Sequence, residues 1–211
     1  MKKSKLAKVL TVSLAALMVF GLASCGGGSG KVSDKDITVI SREEGSGTRD
    51  AFTELTGVLQ DDVDKTVDTA EISNSTSVVT QSVAGNDAAI GYISLGSLDD
   101  TVKAVKVDGV EATVDNIKSG DYKIQRPFNI VTKGEVKELP ADFIKFIMSK
   151  DGQKIIEDEG YISVNDNAEA YKASGLKGSI TLAGSTSVSP VMEKLIEAYK
   201  AVNANVEIEL Q

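Results

Sequence analysis

The sequence predicts an α/β fold with a partly parallel sheet, and three observations carry that reading. Strand-type and helix-type patterns alternate along most of the 211 residues. Two of the strands run directly into a Gly/Ser/Thr loop and then a helix, in ITVISREEGSGTRDAF and in ITLAGSTSVSPVMEKL. The composition is 41% hydrophobic but only 5% aromatic, with no Trp, so the core is expected to be mainly aliphatic. The length suits one domain or two small lobes.

Taken in order, residues 1–24 read as a signal peptide. MKKSKLAK is basic, and VLTVSLAALMVFGLAS is apolar and stops at Cys25. Leu22-Ala23-Ser24-Cys25 resembles a bacterial lipobox, which implies cleavage before Cys25 and a lipid (palmitate) anchor on its thiol. A plain transmembrane helix is the alternative, since the run approaches spanning length. Residues 25–36 form a Gly/Ser-rich tether. Strand character follows at 37–41, then a helix at 48–59 with Ala51, Phe52, Leu55, Val58 and Leu59 on one face. Asn74 is placed to cap a second helix running to about Val83 and closed by Gly85. Residues 88–94 are strand-like. Strands at 102–107 and 110–113 flank Asp108-Gly109, a hairpin signal. Pro127 precedes a strand at 128–132. Pro140 starts a helix through Met148, and Asp151-Gly152 opens another that ends at Gly160. Residues 165–178 are polar and read as a connector between lobes. A strand at 179–183, a helix at 191–202 and a strand at 206–210 complete the chain. That β-α-β unit alone cannot bury both faces of a two-stranded sheet, so it is expected either to dock on the first lobe, 37–164, or to be incomplete.

Charge and composition exclude several functions. The formal net charge is −8, and four lysines lie in the first eight residues; without them the balance is 19 basic against 31 acidic, or −12. Such a surface repels nucleic acid and anionic headgroups. With no His and a single Cys, there is no Ser-His-Asp or Cys-His catalysis, no internal disulfide and no His- or Cys-based metal cluster. Neither a metal nor another cofactor is expected.

The two strand-loop-helix openings carry the chemistry. Each places backbone N–H groups and hydroxyls at a helix N-terminus, where negative charge is favoured. Glycine permits close approach of the backbone, and Arg42 offers a planar fork matched to an oxyanion. Two such half-sites suit a dehydrated tetrahedral anion. Neither is a P-loop or a dinucleotide fingerprint. A Gly/Ser turn with surface arginines remains the bland alternative.

Other motifs carry less. Residues 74–78 repeat the STSV of the second loop and are read chiefly as a helix cap. Arg49 either assists the anion or pairs with Asp50 or another acid. Arg126 is read as an ion-pair residue, Ser174 and Lys177 as a chance S-x-x-K, and 60–64 (QDDVD) as a solvated acidic loop.

ITVISREEGSGTRDAF resembles the second-lobe anion motif of the phosphate-binding proteins of phosphate ABC transporters, and GSITLAGSTSVSPVMEKLIEAY resembles their first-lobe motif. AAIGYISLGSL, IQRPFNIVTK and FIKFIMSKDGQKIIEDEGYISV are also similar to that family. The resemblance implies a periplasmic-binding-protein-like (type II) fold, with one complete lobe and the opening β-α-β of a second at 179–211. It implies phosphate contacts from Arg42, Ser46, Gly47 and Thr48 on one lobe and from Thr186 and Ser187 on the other. Glu44 would orient Arg42, with Ser185 and Arg49 supporting. Two features depart from the family pattern. The motif order is reversed, as in a circular permutation. The family's later Ser loop and proton-accepting Asp are absent, so a C-terminally truncated chain is expected.

The expected function is extracytoplasmic binding of inorganic phosphate and its delivery to ABC permease subunits, from a lipid anchor in the cell membrane. Binding with lobe closure, not catalysis, is the expected mechanism. Sulfate or molybdate binding, surface phosphate sensing without transport, and a serine hydrolase or phosphatase are the alternatives.

Overall fold

In the computed structural model, which describes residues 36–211, β-branched residues before the first glycine loop form strand β1 (Thr38–Arg42). The expected signal peptide, Cys25 and most of the expected tether lie outside the described residues. Helix α1 (Gly47–Thr56) is capped by Ser46, whose Oγ accepts from the Arg49 N–H. It stops earlier than expected because Gly57 adopts a left-handed φ of 72° and its N–H caps the Glu54 carbonyl. Leu59–Gln60 (β2) and Val63–Asp64 (β3) pair antiparallel, so the expected acidic loop is a tight hairpin. Its turn residues, Asp61 and Asp62, both have positive φ.

Strand β4 (Glu71–Ser73) leads into helix α2 (Thr76–Ala84), whose N-cap is Ser75 rather than Asn74. Strand β5 (Ala89–Gly91) follows and is shorter than expected, its ladder with β1 ending at Gly91, and a 3-10 turn comes after it at Leu95–Ser97. These strands form a parallel sheet ordered β4-β1-β5. Its register sets Arg42 beside Ser73, so two strand ends and their helices open on the same side.

Between 98 and 137 the structure departs from the sequence reading. The expected hairpin keeps only its turn: Val107 and Val110 bridge across Asp108 and Gly109, both at positive φ. No strand forms at 128–132, where Phe128, Ile130 and Val131 are exposed. A strand persists only where a neighbour completes its ladder, and residues 128–132 pair with none of β1, β4 or β5. A short helix, α3 (Val114–Lys118), is capped by Thr113. Apolar side chains of this segment face Phe52, Val79 and Tyr92 around a broad cavity of about 1280 Å³.

Helices α4 (Glu138–Ile147) and α5 (Lys150–Asp158) precede strand β6 (Gly178–Leu182), helix α6 (Ser189–Val202) and strand β7 (Val206–Leu210). The β6-β7 pair is parallel. This last β-α-β unit docks, as one of the two expectations had it. Phe143, Phe146 and Ile147 of α4 bury together with Tyr161, Val191, Leu195, Tyr199 and Val206. Each such side chain contributes about 1.5–3 kcal/mol on burial. Thus α4 and α5, expected within the first lobe, share their apolar cluster with α6 and β7.

The 165–178 segment is tied to this cluster by a carboxylate. Asp142 Oδ2 accepts from the hydroxyls of Tyr171 (2.5 Å), Ser174 (2.7 Å) and Tyr199 (2.8 Å). Burial raises the Asp142 pKa, but those three hydrogen bonds together outweigh it and hold the carboxyl below its ordinary value. A depressed folded pKa contributes stability that is present above the unfolded pKa and is lost as pH falls through the folded one. Asp142→Asn is therefore expected to lower the melting temperature at neutral pH and to flatten its fall below about pH 4. An acid titration followed by circular dichroism checks this; parallel curves for variant and parent would contradict it. The same bonds account for Ser174 of the S-x-x-K match, which anchors the segment.

Candidate functional site

Strands β1, β4 and β6 each end in a polar loop that feeds a helix, and the three ends meet. The outer carboxyl end of parallel strands is where α/β folds place ligands, because helix N-termini gather there. Ser46 and Gly47 begin α1, Thr76 begins α2, and Thr186 and Ser187 lie just before α6.

Arg42, the last residue of β1, lies at the centre and is only 2% exposed. Its Nε and Nη2 form a two-pronged contact with the Glu43 carboxylate at 2.8 and 2.9 Å. Nε also donates to the Ser73 carbonyl across the sheet at 3.2 Å. Glu44, expected to orient Arg42, is exposed instead, because the chain turns outward there at Gly45 (φ 80°). The adjacent Glu43 takes that role. The Arg42 hydrogen bond holds the Glu43 carboxyl below its ordinary pKa, so the pair stays ionised and locally neutral. Tyr92 accepts from the Arg42 backbone N–H at 3.0 Å and bonds Ser41 Oγ at 2.8 Å, fixing the strand end.

The free edge of the guanidinium, Nη1 and Nη2, faces a chain of hydroxyls whose proton directions follow from counting lone pairs. Arg42 Nη2 and the Thr76 backbone N–H both donate to Thr186 Oγ1, at 3.2 and 3.3 Å. That fills its two lone pairs, so the Thr186 proton goes to Thr76 Oγ1, 3.1 Å away. Arg42 Nη1 also donates to Thr76 Oγ1 at 3.1 Å, so the Thr76 proton passes on to Ser187 Oγ at 3.1 Å. Ser187 Oγ and Thr48 Oγ1 close the chain at 2.7 Å. Among the described residues, the hydroxyls of the cluster bond one another and Arg42 rather than a carboxylate.

Of the expected phosphate contacts, Arg42, Thr48, Thr186 and Ser187 come together here. Ser46 and Gly47 supply the cap and first turn of α1 beside them. Ser185 accepts from the Ser187 N–H at 3.3 Å and shapes the second loop. The Ser187 carbonyl accepts from Tyr161 at 2.7 Å and from Ser94 at 3.3 Å, which pins that loop. Arg49 is turned to structural work: it pairs with Asp64, not Asp50, at 2.8 Å and donates to the Arg42 carbonyl. Two hydrogen bonds from Thr66, with help from Arg49, pull the Asp64 pKa down to about 2. Arg126 pairs with Glu54 and donates to the Gly47 carbonyl. Thr76, read chiefly as part of a cap, is the residue missed; the STSV repeat was the signal for it.

Residues 28–151 match the PBP superfamily domain. The chain is 53% identical over 218 residues to the phosphate-binding protein PstS 2 of Streptococcus agalactiae serotype V, covering 100% of this chain and 73% of that protein. The chain belongs to the PstS phosphate-binding protein family. PstS 2 of Streptococcus pneumoniae serotype 4 is 48% identical, covering 98% of this chain and 73% of the relative. Because such matches take in essentially the whole chain, its motif order is shared with these PstS relatives. A phosphate-binding protein of a phosphate ABC transporter from Streptococcus pneumoniae superposes with a TM-score of 0.69 at 50% identity, covering 83% of this chain and 70% of that one. A phosphate ABC transporter substrate-binding protein from Clostridium perfringens, solved with bound phosphate, gives a TM-score of 0.56 at 46% identity, covering 61% of this chain and 52% of its own. The family is one of transporter binding proteins, not of enzymes.

Proposed function

We propose that this chain captures inorganic phosphate outside the cytoplasm and hands it to the permease of an ABC importer, held to the membrane by a lipid on Cys25. The observation that carries the reading is the free Arg42 edge facing Thr76, Thr186, Ser187 and Thr48 from three loops. Everything at that point donates. An acceptor-only oxyanion oxygen suits it better than the hydroxyl oxygens that now share its protons. With Arg42 neutralised by Glu43, the charge of a bound dianion would be met mainly by hydrogen-bond dipoles and by helix N-termini.

Two lobes bring the loops together: Arg42, Ser46, Gly47, Thr48 and Thr76 on one, Thr186 and Ser187 on the other. The shared apolar cluster supports grouping α4 and α5 with the second lobe, which moves the boundary toward residue 137 from the expected 164. Lobe closure over the anion would present a composite surface to the permease.

Calorimetric titration tests the reading. Phosphate is expected to bind one-to-one at ~1 μM or tighter, with sulfate titrated as the control. Equal affinity for sulfate would redirect the reading to another oxyanion, and no binding of either by the folded chain would overturn it.

A further inference from the structure

We propose that Thr76 is a direct ligand of the anion, making the N-terminus of α2 a third binding arm beside the two glycine-loop arms. The inference rests on the phosphate reading above and assigns one more residue to the same site.

Ser75-Thr76-Ser77-Val78 and Ser185-Thr186-Ser187-Val188 are the same tetrapeptide, each at the entrance to a helix. The fold sets them face to face across Arg42. Thr76 is 3% exposed, and its Oγ1 lies 3.1 Å from each of Arg42 Nη1, Thr186 Oγ1 and Ser187 Oγ. A cap of its own helix would point the hydroxyl back at the α2 backbone; this one points across to the other arm. The Thr76 backbone N–H points the same way, at Thr186 Oγ1.

Thr76 thus directs two donors, N–H and O–H, into the space where the Arg42 edge ends. Among the described residues, its hydroxyl is the one link between Arg42 Nη1 and Ser187 in the chain of protons. An oxyanion seated on the Nη1/Nη2 edge must displace the Thr76–Thr186 contact, and the Thr76 proton then has an anionic oxygen to meet. Charge-assisted bonds of this kind are about twice as strong as neutral ones, so the exchange is favourable.

Thr76→Val keeps the shape and removes the hydroxyl; Thr76→Ser restores it. In phosphate calorimetry Thr76→Val is expected to bind ~10-fold or more weakly, with Thr76→Ser within ~3-fold of the parent. Without phosphate, Thr76→Val is expected to melt a few degrees lower than the parent yet remain folded, because Arg42 Nη1 and the Thr186 hydroxyl lose their acceptor, and Thr76→Ser is expected to melt like the parent. Parent-like binding by Thr76→Val overturns the proposal while leaving the phosphate reading intact. Failure of the parent to bind overturns the phosphate reading and the proposal with it. Should Thr76→Val fail to fold, Thr76→Ala, which leaves room for a water to meet those groups, serves in its place. A role exercised only through Arg42 is separated by adding Thr76→Val to Arg42→Lys. A direct ligand produces a further loss in that background, and no further loss overturns the proposal.

Discussion

Arg42→Ala is expected to weaken phosphate binding by at least ~100-fold. The guanidinium offers its Nη1/Nη2 edge through two charge-assisted donors, each worth about 1.5–3 kcal/mol. Their joint loss, about 3–6 kcal/mol, corresponds to roughly two to four decades in affinity. The substitution also leaves Glu43 without its partner at 2.8 Å, and a lone carboxylate next to the site repels the incoming anion. Arg42→Lys keeps the charge but cannot hold Glu43 on one edge and the anion on the other, so it is expected to fall between parent and Ala. Calorimetry on the three proteins checks the order. An Arg42→Ala variant that binds like the parent would remove Arg42 from the site.

The second large effect concerns the attachment of the final β-α-β unit. Tyr199 is fully buried, packs edge-on against Phe143 with centroids 5.0 Å apart, and touches Phe146 and Tyr171. Its hydroxyl reaches Asp142 at 2.8 Å, and burial followed by that carboxylate pushes its pKa well above the usual tyrosine range. Tyr199→Ala opens a cavity in this cluster and is expected to cost about 3–5 kcal/mol. That is a large share of the ~5–15 kcal/mol by which domains are ordinarily stable. For a chain of this size the melting temperature should fall by roughly 10 °C or more. Tyr199→Phe, which loses only the hydroxyl contact, is expected to cost about 1 kcal/mol. Thermal melts by circular dichroism separate the two. Equal, small effects would mean that α6 is not anchored by this ring.

The local chemistry of the site was legible because it is written in contiguous residues. Threonine, valine and isoleucine before the glycine loop specify β1; Ser46 caps the following helix; Gly45 and Gly57 sit where the backbone takes positive φ. What was hidden depends on which segments become neighbours. Thr76 enters the cluster only because β4 pairs with β1, and the sequence does not say which strands are adjacent. Glu43 rather than Glu44 holds Arg42 because of the direction in which the chain leaves the strand. Pattern alone suggested a strand at 128–132, but that segment pairs with no strand of the sheet. The docking of the last unit likewise hinges on Asp142 and Tyr199, which lie 57 residues apart.

The most direct test is a crystal structure of the chain saturated with phosphate. The anion is expected on the Nη1/Nη2 edge of Arg42, within hydrogen-bond distance of Thr48, Thr76, Thr186 and Ser187, with Glu43 still on the opposite edge. An anion bound elsewhere, or the Arg42–Thr186 and Thr48–Ser187 contacts intact at saturating phosphate with nothing between them, would contradict it.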